Sequence, residues 1–339
     1  MEKKLVWHNV TEAPFTVYGG DRNFHRMPPE VSEKVSEGVH TLNLTAPAGI
    51  RVRFATDSDS IAVRCRVKGS KTVGFDLYEL ICGEEIFSKG FRSDLFMTDG
   101  DFEARRVQYF EKRVRYLTLN FPYFGQFDYV EVGLDEDAEL LPGKPYINEA
   151  PVVFYGSSIT MGAWASRPGN TYEALISQKY NLNYINLGFA GRAKGEPQMA
   201  EYIASLPMTA FVLDYDHNAK DYMELGETHE PFYRIVREKN PELPIFMLTR
   251  PDCFDYPISV EKRRAVIHST YEKAVSEGDK NVYFLDGATF FSGTNYHNCT
   301  RDGTHPNDIG FLRMSEVIGD KIAEVLGLPN KKFDCYERV

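Results

Sequence analysis

The chain has 339 residues, 42% hydrophobic and 26% charged, with a formal net charge of −10 and a pI near 5.4. These values exclude a disordered or fibrous chain, and the acidic surplus argues against a nucleic-acid partner, which needs a basic stripe. No apolar run is long enough for a membrane helix, and the length exceeds what one core fills, so two domains are expected.

The N-terminus, Met1 to Asn9, is basic but carries no apolar stretch of the signal-peptide kind, so the chain as given reads as cytoplasmic. From there to about residue 145, apolar and polar residues alternate with a period of two. Gly49 to Ala55, Ser60 to Val67, Tyr116 to Phe121 and Tyr129 to Leu134 all follow it. Strands of this kind, separated by turn-rich segments such as Asp57-Ser58-Asp59, predict an antiparallel, jelly-roll-like β-sandwich with few helices. The abundance of aromatics, 20 Tyr and 23 Phe, suits a β-rich domain first and a sugar-stacking surface second. The polar stretch Asp135 to Glu139, then Pro142-Gly143-Lys144-Pro145, reads as a linker between domains at 1–145 and 146–339.

Beyond Pro151 short apolar runs alternate with helical stretches. The runs are Val152 to Tyr155, Tyr184 to Leu187, Ala210 to Leu213, Ile245 to Leu248 and Val282 to Leu285. Thr171 to Gln178 and Ser259 to Glu277 read as amphipathic helices between them. Buried strands with helical crossovers predict a flavodoxin-like three-layer α/β/α domain, with ligands outside the carboxyl ends of the strands. Each run does end in small or polar residues: Gly156-Ser157-Ser158, Gly188 to Gly191, Asp214 to Asn218, Thr249-Arg250-Pro251 and Asp286-Gly287. Asp302 and His305 follow on a loop before a final helix, with Pro306 expected in its first turn. A serine on a strand-end turn plus an Asp/His pair is the inventory of a serine hydrolase, because the hydroxyl needs a base to take its proton.

Several residues have plainer readings. Ser157 and Ser158 are neighbours that composition cannot separate, and Asp302 could instead cap the last helix. Asp214, Asp216 and His217 could be imagined as metal ligands. Alternating side chains on an extended segment diverge, however, and no second histidine stands at ligand spacing, so no metal is expected. Five scattered cysteines, Cys65, Cys82, Cys253, Cys299 and Cys335, odd in number and without CxxC spacing, predict neither a disulfide framework nor structural zinc. Arg167 and Arg250, each before a proline near the predicted crevice, are possible substrate-binding residues, and Glu196 reads as a residue of a helix N-terminus.

The four strand-end blocks, in order, resemble those of the SGNH hydrolases, also called GDSL-type esterases. Gly156-Ser157-Ser158-Ile159-Thr160 is similar to the first block with Ser157 in place of its aspartate, and Asp302-Gly303-Thr304-His305-Pro306 matches the DxxHP of the last. Gly191 matches the glycine of the second block. Asn218 is the best match to the third, although Asp216-His217-Asn218-Ala219 departs from the usual GxND. Gly74-Phe75-Asp76-Leu77-Tyr78 also matches the GxDLY signature of an N-terminal domain that accompanies some of these hydrolases, where Asp76 and Tyr78 are expected to stabilise docking.

The resemblance implies Ser158 as nucleophile, His305 as base and Asp302 as its orienting partner. The N–H groups of Ser158 and Gly191 and the Asn218 amide are implied as oxyanion donors. It implies a cofactor-free esterase acting on short acyl esters, acetyl above all, carried by a carbohydrate, with oligomeric state open. A lipid or small-molecule acyl esterase or thioesterase, for which Met161-Gly162-Ala163-Trp164 is the candidate apolar loop, and a non-catalytic carbohydrate-binding protein are the alternatives.

Overall fold

In the computed structural model the described residues are 4–69, 73–81, 83–88, 99–109, 111–251, 257–293 and 295–329. Met1 to Lys3, and Cys82, Cys253 and Cys335, lie outside them; Cys65 and Cys299 are buried thiols.

The chain opens with β1 (Leu5–Asn9), β2 (Thr16–Tyr18), α1 (Pro29–Val35) and α2 (Glu37–Thr45). Next come β3 (Arg51–Thr56), β4 (Ser60–Lys68), β5 (Asp76–Ile81), β6 (Glu84–Phe87), β7 (Gly100–Gln108), β8 (Arg115–Asn120), β9 (Gln126–Asp135) and β10 (Leu140–Pro142). They form two antiparallel sheets, one ordered β1-β9-β4-β7 and the other β10-β3-β8-β5-β6 with β2 on β3. Their inner faces share one apolar core, in which Phe24, Phe75, Phe121 and Phe127 meet ring to ring. Each strand that the period-two alternation predicts is present, as β3, β4, β8 and β9. The expected linker is more ordered than its composition suggests. Asp135 ends β9, its carboxylate accepting from the amides of Asp59 and Ser60, and β10 pairs with β3.

The second layer system runs β11 (Val152–Gly156), α3 (Ser158–Met161), α4 (Tyr172–Tyr180), β12 (Tyr184–Gly188), α5 (Pro197–Ser205) and β13 (Ala210–Asp214). It continues through α6 (Tyr222–Lys239), β14 (Ile245–Leu248), α7 (Pro257–Ser276), β15 (Val282–Leu285) and α8 (Asp308–Val325). All pairings are parallel in the order β12-β11-β13-β14-β15, which places a topological switch point at the end of β11. Strands β11, β13 and β14 are buried along their whole length because helices cover both faces, which is why they read as unbroken apolar runs.

The sequence reading missed α1 and α2. Their buried positions include Ser32 and Asn43, so the apolar periodicity is weak, and α2 is instead started by the Ser36 hydroxyl, which accepts from the Val39 amide. These helices do not belong to the sandwich core. Met27 and Val39 join the core beneath the parallel sheet with Leu187, Phe189 and Leu213.

Buried arginines tie the antiparallel and parallel parts together. Arg51 donates to the Tyr184 carbonyl and the Asn183 side chain, and Arg53 to Glu85 and the Asn181 side chain. Arg26, 2% exposed, donates to the carbonyls of Asn186 and Gly188 and stacks 4.3 Å over Phe189. From the GxDLY stretch, buried Asp76 accepts 2.7 Å from the Gly169 amide and 2.8 Å from Asn120. Burial pushes its carboxyl up to about 6 against those hydrogen bonds. Tyr78 packs where any side chain at Gly169 would stand, 2.4 Å from its ring, so glycine is required there.

Candidate active site

The turn after β11 needs glycine for space. A Cβ at Gly156 would lie 1.9 Å from Thr160 Oγ1 and 2.4 Å from the Asp214 carbonyl. The two serines that follow separate cleanly. Ser157 is 1% exposed and its hydroxyl accepts from the Ile159 amide at 3.1 Å, which makes it the cap that starts α3. Ser158 is the first helical residue, and its Oγ lies 2.9 Å from His305 Nε2. His305 Nδ1 lies 2.8 Å from Asp302 Oδ2. The structure thus joins Ser158, His305 and Asp302 in one hydrogen-bonded line across 147 residues of sequence.

The Asp302-to-His305 loop is built by its own acid. Asp302 Oδ1 accepts from the amides of Thr304 and His305 at 3.0 and 2.8 Å, with Gly303 at φ +86° making the turn. Partial burial raises the Asp302 carboxyl, but these amides and the imidazole outweigh it and hold it below the usual carboxylate range. Asp302 does not cap α8. Asn307 does, accepting from the amides of Ile309 and Gly310, and Pro306 precedes that cap instead of lying in the first turn.

The second and third blocks meet at one carbonyl. Phe189 O accepts from the amides of Arg192 and Ala193 and, at 3.1 Å, from Asn218 Nδ2. The Phe189 amide in turn donates to Gly156 O, so the loop carrying Gly191 is tied to the Ser158 turn on one side and to Asn218 on the other. Gly191 has φ +69°, which favours glycine, and a Cβ placed there would meet nothing within 4 Å.

Beneath the turn, Asp214 Oδ2 accepts from Thr160 Oγ1 and from the Tyr172 hydroxyl, each at 3.0 Å, and thereby anchors α3. Burial pushes this carboxyl up to about 7. Asp216 instead accepts from the Arg250 amide. His217 is held neutral, first by burial and then by the nearby Arg250 cation, which makes it a poor base. The Asp214, Asp216 and His217 side chains serve separate purposes, and no cluster of metal-ligating type occurs among the described residues.

Of the two arginines named from sequence, Arg167 turns toward the antiparallel part: it donates to Asn170 and stacks 3.8 Å over Phe87. Arg250 lies beside Asp216 and His217 through its backbone and charge. Glu196 does sit at the start of α5, but its carboxylate accepts from the Tyr155 hydroxyl and the Lys194 amide and does not cap the helix. Sequence reasoning missed Arg301, whose guanidinium stacks 4.3 Å over Trp164, itself ring to ring with His305 at 6.5 Å. It also treated Trp164 only as part of an apolar loop. Trp164 is 45% exposed at φ +76°, a conformation that no propensity announces.

Comparison with known proteins decides the family. Residues 149–323, just over half of the chain, match the GDSL-like lipase/acylhydrolase family. The chain belongs to this family. Residues 5–140 match the GxDLY family, the N-terminus of esterases of the SGNH-hydrolase type. The protein is accordingly a carboxylic ester hydrolase of the SGNH (GDSL) family.

Among solved structures, a GDSL-like lipase from Bacteroides ovatus is 27% identical over 97% of this chain and 100% of its own, with a TM-score of 0.86. A salicylyl-acyltransferase from a tetracycline biosynthetic pathway is 23% identical over 97% and 99% (TM-score 0.76). A family two carbohydrate esterase from Cellvibrio japonicus shares the fold at 9% identity over 96% and 99% (TM-score 0.63). No curated protein sequence matches significantly. Among the described residues no helix is long and apolar enough to cross a membrane.

Proposed function

We propose that this GDSL-family esterase removes short acyl groups, acetyl above all, from carbohydrate through an acyl-serine intermediate on Ser158. The observation that carries the nucleophile is the 2.9 Å contact between Ser158 Oγ and His305 Nε2, with Ser157 committed to capping. Ser158 Oγ attacks the ester carbonyl while His305 Nε2 takes its proton, and ionised Asp302 steadies the imidazolium through Nδ1. The carbonyl oxygen's developing charge is met by the N–H groups of Ser158 and Gly191 and by the free hydrogen of the Asn218 amide. The intermediate collapses as His305 returns the proton to the departing alcohol. Water then attacks acyl-Ser158, giving its proton to His305, and the acid leaves with the serine hydroxyl restored. Each step uses only the chain's own residues and water.

The carbohydrate part is supported by the fold shared with carbohydrate esterases along nearly the whole chain. An acetyl xylan esterase from Butyrivibrio proteoclasticus aligns over 95% of it at 14% identity, with a TM-score of 0.58. Against a lipid-type acyl pocket stands Met161, fully buried against Ala46 and Ala48, which leaves Trp164 as the exposed apolar residue of that loop. Turnover of a p-nitrophenyl ester series tests the acyl length. Rates are expected to fall steeply beyond acetate or propionate, whereas a rise toward octanoate contradicts the reading.

A further inference from the structure

Beside the triad lies a groove of about 620 Å³ that both parts of the molecule wall. Val73 and Tyr123 come from the antiparallel part, Trp164 and Arg301 from loops of the parallel part, and Asp308 from the start of α8. The groove's Trp164 ring stands edge-on to His305 with centroids 6.5 Å apart. The groove therefore borders the histidine of the Ser158–His305–Asp302 line through Trp164.

Arg301 gives the groove its character. Its guanidinium lies 4.3 Å over Trp164, and it has no ion pair or side-chain hydrogen bond among the described residues. The groove's carboxylate does not neutralise it. Asp308 spends its two oxygens on the Ser166 amide and hydroxyl, at 2.9 and 2.5 Å. The guanidinium rests on the Trp164 ring and the residue is exposed, so its N–H groups can reach a carboxylate through paired hydrogen bonds. The Arg301 amide donates 2.9 Å to the His305 carbonyl, so the cation is held in register with the catalytic loop. Trp164 keeps a left-handed backbone, a conformation costly for a bulky residue and most often retained at working sites. In a chain of net charge −10, an unpaired, preorganised cation at the mouth of the site selects for negative charge.

We infer that the groove is a leaving-group subsite for an acidic sugar, with Arg301 binding the carboxylate and the rings of Trp164 and Tyr123 flanking the pyranose. This rests on the carbohydrate-esterase reading and narrows it to acylated uronic acids. The chemistry of recognition is one bidentate charge-assisted contact plus ring packing on an aromatic surface.

The test compares acetate release from acetylated galacturonate oligomers with release from acetylated xylose oligomers of equal length, for the wild-type enzyme and for Arg301→Gln and Arg301→Lys. The wild type is expected to favour the acidic substrate by about tenfold or more in kcat/KM, the size of one hydrogen bond to a charged group. Arg301→Gln should bring the ratio close to one, and raised salt should shrink it in the wild type. Arg301→Lys, which keeps the charge without the fork, should retain only part of it. Equal kcat/KM on the two substrates, or a ratio unchanged in Arg301→Gln, overturns the inference while leaving a neutral-sugar esterase standing. Turnover of p-nitrophenyl acetate with no release from either oligomer overturns both the inference and the carbohydrate reading.

Discussion

Asp302 and Asp214 both serve the Ser158 turn, the first through His305 and the second through Thr160. Asp302 has a side chain 43% exposed, accepts from two backbone amides and an imidazole, and stays ionised below the usual carboxylate range. Asp214 is 3% exposed, accepts only from two hydroxyls, and its carboxyl is pushed up to about 7. The same functional group is thus held as the anion where it faces an imidazole and shifted toward its neutral form where it ties an element down. Amide donors and a prospective cation favour the anion; burial with neutral hydroxyls does not compensate its desolvation.

The comparison can be broken most severely at Asp302. Asp302→Asn keeps the loop's shape but removes the charge and the tautomer control, so kcat is expected to fall on the order of 10³–10⁴-fold with little change in KM. Steady-state kinetics on p-nitrophenyl acetate check it, and a loss under tenfold would show that His305 works without its acid. Asp214→Asn, which keeps an acceptor for Thr160 and Tyr172, should leave kcat near the wild-type value.

The smaller effect at Asp214 is on stability, and its sign follows from the raised carboxyl. Between its ordinary 3.8 and about 7 the folded protein keeps this proton while the unfolded chain loses it. Wild-type stability therefore drains away as pH rises through that window and changes no further from this source above it. Asparagine has no such proton. The Tm of Asp214→Asn relative to wild type should rise between pH 4 and pH 7, by an amount on the order of several degrees. Melting curves across that range decide it, and a difference that is flat or falls with pH contradicts the burial argument.

The legibility of the sequence follows the same divide between local and long-range causes. The central parallel strands β11, β13 and β14 were readable because burial on both faces leaves continuous apolar runs. The Asp302–His305 contact was readable because the two are three residues apart on a loop that Asp302 itself folds. What separated Ser158 from Ser157 was a cap hydrogen bond to Ile159, which two adjacent serines do not reveal in sequence. The helices α1 and α2 were hidden because polar Ser32 and Asn43 occupy their buried face, Asn43 bonding the Met27 backbone across the turn. Arg26 and Arg301 were invisible for a related reason. An arginine reads as surface, and only the fold shows one sealed against Gly188 and Phe189 and the other laid on Trp164.

The central claim is that Ser158, not its neighbour, becomes acylated, and active-site labelling tests it most directly. Incubation with a fluorophosphonate, followed by tandem mass spectrometry of the peptide that spans both serines, should place a single adduct on Ser158 as activity is lost. An adduct on Ser157, or full inactivation without modification of Ser158, would contradict the account.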